Sequence, residues 1–431
     1  MRARSVLSAT LVLLLALVLA APSLAAPKVR RMSVRSSGVG TMGHSEYPDI
    51  TPSGRFVVFA SFAELIPADM NTNSDIYIRD QRKRKTRLLS MRADGSVEQS
   101  GNSAYPSISS SGRFVAFEST GELIPGDTYP GSDIYVRDRR KGKTRLVSRR
   151  SNGSQSDQGS HFPAISADGR FVAFQTTAKL VGKDTNVAAD IYVRDRVKST
   201  TRLVSTSRSG ANSNGESFEP AISGDGRFIA FGSNATDLVP NDGNGSSDVF
   251  VKDMRTGRIR RVSVRSNGNE GADPSHSPQI SANGRWVAFT SEASLAGPDG
   301  DAFRDVFVHD RKTRKTRRIS VSSGGVDGNC ASPATIQGLD ISPDGRWVAF
   351  DSCADNLGNP LGNYSVYLHD RLKGKTRLIS RRNGGAISPE TNEQPAVSKG
   401  GGFVAWTSDD EMIVGGDSNT SDDVFRWGPR R

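Results

Sequence analysis

The chain has 431 residues, 35% of them hydrophobic and 24% charged, with a formal net charge of +11. This composition fits a soluble globular protein and excludes a disordered or collagen-like chain. The only cysteines are Cys330 and Cys353, which excludes a disulfide-dense scaffold, and the pair reads as one structural disulfide in an exported protein.

In chain order, the first element is a targeting segment. Arg2 and Arg4 precede an apolar run from Leu11 to Ala21, shorter than the ~20 residues of a spanning helix. Small residues then allow cleavage after Ala25. Residues 1–25 are therefore expected to be a signal peptide and 26–431 the mature, secreted or periplasmic protein. No cysteine follows the run to take a lipid anchor, and no later segment is apolar enough to cross a bilayer.

The rest of the chain is one unit repeated. The pattern Gly-Arg-(Phe/Trp)-(Val/Ile)-(Ala/Val)-Phe begins at Gly54, Gly112, Gly169, Gly226, Gly284 and Gly345, and a degenerate copy begins at Gly401. The spacings are 58, 57, 57, 58, 61 and 56 residues, a period that means an array or a propeller. Four short strands are expected in each unit. The innermost is like Pro106-Ser107-Ile108-Ser109 and ends in a tight turn such as Ala167-Asp168-Gly169. The second, Arg113-Phe114-Val115-Ala116-Phe117, is apolar on both faces, as a strand buried between neighbouring sheets must be. The third is Asp133 to Asp138. After a basic turn, the fourth, Thr144 to Ser148, alternates like a half-exposed outer edge.

The seventh unit reaches Trp427 without a fourth strand, and Lys28 to Val34 matches the fourth strand Arg258 to Val264. Pairing the two would close a ring and remove its exposed edges. The expected fold is all-β, a seven-bladed propeller of four-stranded antiparallel blades, and a monomer. Ser342-Pro343-Asp344-Gly345-Arg346-Trp347-Val348-Ala349-Phe350 resembles the TolB-type, WD-like propeller repeat of bacterial exported proteins. The resemblance covers essentially the whole mature chain. It departs from TolB itself in lacking a separate N-terminal domain and in having longer repeats. It implies a propeller and often a protein-binding role in the envelope.

Long connections between the second and third strands, and between blades, should share one face, the expected binding face. Before each third strand lies an acidic loop. It comprises Asp69, Asn71 and Asp75 in blade one, Asp184, Asn186 and Asp190 in blade three, and Asp242, Asn244 and Asp248 in blade four. Blade five has Asp299, Asp301 and Asp305, and blade seven Asp417, Asn419 and Asp423. Blade two keeps Asp127 and Asp133 around Tyr129, and blade six breaks the pattern. Such oxygens could hold one calcium per intact blade or close an Asx-turn; the EF-hand's bidentate Glu at position twelve is missing.

Two residues before the innermost-strand proline lie Glu46, His161, His276 and Glu393. They should converge on the channel mouth, where they could bind a transition metal or act as acid and base. Basic residues cluster in the third-to-fourth turns, Arg79 to Arg87, Arg137 to Arg145, Arg311 to Arg318 and Arg371 to Arg377. They form a basic rim on the short-turn face, suited to anionic partners or to guarding outer edges. No stacking aromatics are interleaved with them, so nucleic acid is not expected. No catalytic triad, nucleophile elbow, zinc-protease or phosphate-loop motif occurs. The expected function is a scaffold binding a protein or an anionic envelope polymer. The alternatives are a carbohydrate lyase or hydrolase working at the channel mouth and a calcium-stabilised propeller.

Overall fold

The computed structural model describes residues 28–97, 100–297, 303–333, 337–415 and 419–429. The signal-peptide reading and Asp299, Asp301 and Asp417 fall outside these residues. The described chain forms seven four-stranded antiparallel sheets, the blades of a propeller. Blade one comprises Ser45–Ile50, Phe56–Ser61, Asp75–Asp80 and Lys85–Leu88, in that order from the channel outward. Blades two to six repeat it. Blade seven takes Asn392–Val397, Val404–Ser408 and Asp423–Gly428 from one end of the chain and Lys28–Arg31 from the other. Lys28 faces Gly428 and Arg31 faces Phe425, so the expected closure is the one observed.

The packing follows from the two-faced second strand. Phe56–Ser61 is buried along its whole length. One face of blade one, with Val57, Phe59 and Tyr77, packs on Ala405 and Val424 of blade seven. The other, with Val58, Ile76 and Ile78, packs on Phe117 and Tyr135 of blade two. The apolar core is thus a circle of inter-blade layers, each blade depending on both neighbours.

Glycine in the first turn is required by the next layer. Gly112 has φ +72°, and a Cβ there would lie 2.4 Å from the Phe56 ring of the preceding blade. The outer strand is shorter than its alternation suggests, Lys143–Leu146 in blade two. A side chain replaces the backbone beyond it: the Ser148 hydroxyl accepts from the Ile134 N–H at 3.0 Å and donates to Asp133 at 2.5 Å.

The connections between blades are not plain loops. Each of six carries a small hairpin closed by a single bridge, as in Met91 with Val97 or Thr206 with Asn212. Cys330 and Cys353 form the expected disulfide, 23 residues apart with Cα atoms 5.4 Å apart. It ties the loop entering blade six to the end of that blade's second strand, a closure worth about 3 kcal/mol.

Candidate functional site

The acidic loops are compensated from within, in two ways. In blade one the Asp69 carboxylate accepts from the Tyr77 hydroxyl. Asn71 donates to Asp75 at 3.3 Å and accepts from the Asn73 N–H at 2.7 Å. In blade three Tyr192 donates to Asp184, as does Asn212 at 2.9 Å. Asn186 accepts from the Ala188 N–H at 2.9 Å and donates to the Ser213 carbonyl at 2.9 Å. In blade two Tyr135 donates to Asp127, and Gln155 reaches both Asp127 and, at 2.9 Å, Asp133. These geometries are Asx-turns with a phenol as added donor.

In blades four, five and seven an arginine enters instead. Arg261 is half-buried, with Nη1 at 3.1 Å from Asp242, at 2.7 Å from Asp248 and in contact with Glu270. Asn244 retains its turn, accepting from the Ser246 N–H at 3.0 Å. Arg318 lies 3.2 Å from Asp305 and 2.5 Å from Asp327. Arg31 lies 2.6 Å from Asp423, beside Asn419, which donates to the Thr41 carbonyl at 2.8 Å.

One cross-strand pair decides between the two. Tyr77, Tyr135, Tyr192 and Tyr367 face Leu88, Leu146, Leu203 and Leu378, whereas Phe250, Phe307 and Phe425 face Arg261, Arg318 and Arg31. Where arginine is present the phenol is absent. An acidic residue at the bridge position, Glu270 or Asp327, occurs only opposite an arginine. In blade six Asn359 and Ser365 replace the acids and bond each other at 2.8 Å.

Burial pushes Asp190 up to about 7, with repulsion from Asp184 adding to it, and pushes Asp133 up to about 6. Calcium at the loops of blades four, five and seven would have to share its ligands with a guanidinium. In the first three blades the described donors to the paired carboxylates are phenols, amides and hydroxyls.

The channel mouth separates its candidates. Glu46 and Glu393 lie on the arc formed by blades one and seven. Burial raises both carboxyls, and Asp422 adds repulsion to each. His161, in blade three, has Nδ1 3.5 Å from Glu118, which raises its pKa. His276, in blade five, contacts the Ser247 hydroxyl at 3.2 Å; burial and Arg304 hold it down. The two histidines thus have separate partners and opposite shifts. Among the described residues, the one group of three potential metal ligands within 4.8 Å of one another is Asp242, Asp248 and Glu270.

Deeper in, Tyr47, Tyr105 and Phe162 line the channel wall from blades one to three. Their ring centroids are 4.4 and 4.9 Å apart. Each sits at a bulge before a proline with φ between 49° and 54°, so sequence-based steric rules for pre-proline residues do not anticipate them. On the opposite arc Glu219 accepts from the Ser277 N–H at 2.7 Å, a bond between blades. Asp340 and Asp49 also line the channel. Burial pushes Asp340 up to about 8, with repulsion from Asp49.

On the short-turn face, part of the basic rim is structural. Arg55 grips Asp80 with two hydrogen bonds, at 3.0 and 2.7 Å. Arg113, Arg170, Arg227, Arg285 and Arg346 repeat that grip on Asp138, Asp195, Asp253, Asp310 and Asp370. The same arginines stack on the ring that follows them, as Arg55 does on Phe56 at 4.5 Å. Outside these pairs the rim is open. Arg82, Lys83, Arg84, Lys85 and Arg87 are exposed in blade one, and Lys312, Arg314, Lys315 and Arg317 in blade five.

No family model matches the chain, and no curated protein matches it. Solved structures do. An oligogalacturonate lyase in complex with manganese is 12% identical, with 94% of this chain and 97% of that one covered and a TM-score of 0.57. An oligogalacturonate lyase from Vibrio parahaemolyticus is also 12% identical over 94% and 97% of the two chains, with a TM-score of 0.54. TolB from Acinetobacter baumannii is 16% identical over 78% of this chain and 65% of that one, with a TM-score of 0.40. At these identities the likeness concerns the fold alone: the chain is a seven-bladed β-propeller.

Proposed function

We propose that this propeller is an exported binding protein that holds an anionic envelope polymer against its short-turn face. The observation that carries the reading is the open basic rim. Its acids are occupied, Asp80 and its five counterparts each by an arginine of their own blade. The outermost lysines and arginines therefore face solvent with their charge uncompensated, and clustered uncompensated charge attracts polyanions over about a Debye length. The disulfide fits an oxidising compartment, and no helix among the described residues is long and apolar enough to cross a membrane.

The test is equilibrium binding of the mature protein to alginate, to poly(glycerol phosphate) and to neutral dextran, at low and high salt. The reading expects the two polyanions to bind and to be released by salt, and dextran not to bind. Equal binding to dextran, or no binding to either polyanion, would refute it.

A second reading rests on the mouth, where Glu46 and Glu393 are neighbouring half-buried carboxyls raised by burial. Such groups could exchange protons with a polymer entering the channel, as in a lyase or hydrolase. Alanine at Glu46, His161, His276 and Glu393 would abolish turnover of uronate oligomers under this reading and change nothing in polymer binding under the first.

A further inference from the structure

Four of the rim's arginines share one mode of attachment. Arg139, Arg196, Arg311 and Arg371 each follow the last aspartate of a third strand. Each stacks on an aromatic ring of the preceding blade: Arg139 on Phe56 at 4.4 Å, Arg196 on Phe114 at 4.6 Å, Arg311 on Phe228 at 4.1 Å and Arg371 on Trp286 at 3.5 Å. Each also donates to the carbonyl of the first-turn glycine of its own blade, Gly112, Gly169, Gly284 or Gly345. A guanidinium fixed at its face and one edge is pre-oriented, and its remaining N–H groups are presented in a set direction.

What they face is another arginine. Arg145, on the outer strand of blade two, lines the same inter-blade groove as Arg196, with Lys141 and Lys143. The groove's carboxylates are already engaged. Asp138 is gripped by Arg113, and Asp168 accepts from the Ser166 hydroxyl and the Arg170 N–H. Burial lowers Arg196 to about 10, and repulsion from Arg145 contributes. Arg87, Arg260 and Arg317 act in the same sense on Arg139, Arg311 and Arg371. Two like-charged guanidiniums, one half-buried and fixed and the other on the outer strand, are disfavoured alone and relieved by an oxyanion between them.

We infer that these arginine pairs, at the junctions of blades one with two, two with three, four with five and five with six, are oxyanion-binding clefts that take successive charged groups of one linear polymer. The inference rests on the reading of the rim as a polyanion surface and names the elements that recognise the ligand. Gln81 and Met254 occupy the inner position at two of the remaining junctions, so the clefts fall into two adjacent couples. Linked anions can engage such couples at high effective concentration, which free anions cannot.

The test compares two quadruple variants that remove equal charge. One changes the outer arginines (Arg87→Gln, Arg145→Gln, Arg260→Gln, Arg317→Gln). The other changes rim lysines outside the four pairs (Lys83→Gln, Lys198→Gln, Lys312→Gln, Lys373→Gln). Both leave the stacked arginines intact, and circular dichroism checks the fold. Binding is measured to poly(glycerol phosphate) and to alginate, and the tighter of the two identifies phosphate or carboxylate as the ligand oxyanion. The arginine variant is expected to bind at least roughly tenfold more weakly, and the lysine variant only about two- to threefold. Equal losses would overturn the clefts while leaving the rim reading intact. Failure of the wild type to bind either polymer would overturn both.

Discussion

Blades three and four are neighbours with the same backbone, yet they stabilise the same loop by opposite means. Blade three places Tyr192 against Leu203 and lets a phenol and Asn212 satisfy Asp184. Blade four places Phe250 against Arg261 and gathers three carboxylates around one guanidinium. The exchange is concerted. Gaining the arginine makes the phenol redundant and admits Glu270 at the bridge position. A single step in either direction leaves a charge without its partner, and such charges are costly when buried. Apart from blade six, where Asn359 and Ser365 replace the acids, the repeat holds two self-consistent solutions and no mixture of them among the described residues.

The largest effect should come from breaking the arginine solution. Arg261→Leu leaves Asp242, Asp248 and Glu270 together without a cation, and should cost about 3–5 kcal/mol in urea denaturation. Converting the whole set, with Phe250→Tyr and Glu270→Asn added, should recover most of that loss by rebuilding the blade-three arrangement. If the triple variant is no more stable than Arg261→Leu alone, the two solutions are not interchangeable units.

Breaking the tyrosine solution should cost less. Tyr192→Phe deletes one donor to Asp184 while Asn212 remains, an expected loss of about 1–2 kcal/mol by the same denaturation assay. Phe250→Tyr alone in blade four should bring no gain, because Arg261 already compensates that loop.

The pH dependence sharpens the comparison. Burial raises Asp190 to about 7, so the folded state holds this proton more tightly than the unfolded chain. That contribution is fully present below about pH 4 and is lost as pH rises towards 7. Melting temperature should therefore fall over this window, and Asp190→Asn should flatten part of the fall. An unchanged slope in that variant would place the proton elsewhere, with Asp340, pushed up to about 8, as the next group to replace.

The smallest effect expected is that of calcium. The loop oxygens already accept from phenols, amides or arginines, so melting curves in EDTA and in calcium should coincide. A rise in calcium that Asp190→Asn abolishes would instead make the tyrosine loops metal sites.

The fold was legible because it is written seven times. The Gly-Arg-(Phe/Trp) box, the Asp-Gly turns and the match of Lys28–Val34 to a fourth strand led to blade number and closure without ambiguity. The tyrosine–arginine exchange was equally present in the sequence. Aligning the third and fourth strands of the repeats would have exposed it, but the acidic loops were read along the chain, where Arg261 is 13 residues from Asp248. Along the chain the rim likewise reads as a surface of equal charges. Stacked Arg196 and free Arg145 differ only through contacts with the blade before, which no linear spacing records. The channel aromatics were missed for a local reason, since Tyr47, Tyr105 and Phe162 adopt a left-handed backbone before proline that sequence rules disfavour.

The central claim is that the short-turn rim, and not the long-loop face, holds the ligand. Lysine acetylation of the mature protein with and without poly(glycerol phosphate), read residue by residue by mass spectrometry, tests it directly. Lys83, Lys141, Lys143, Lys312 and Lys373 on the rim should be protected, while Lys179 and Lys183, exposed on the connection between the second and third strands of blade three, should react as before. Protection of Lys179 and Lys183 with the rim lysines unchanged would contradict the account.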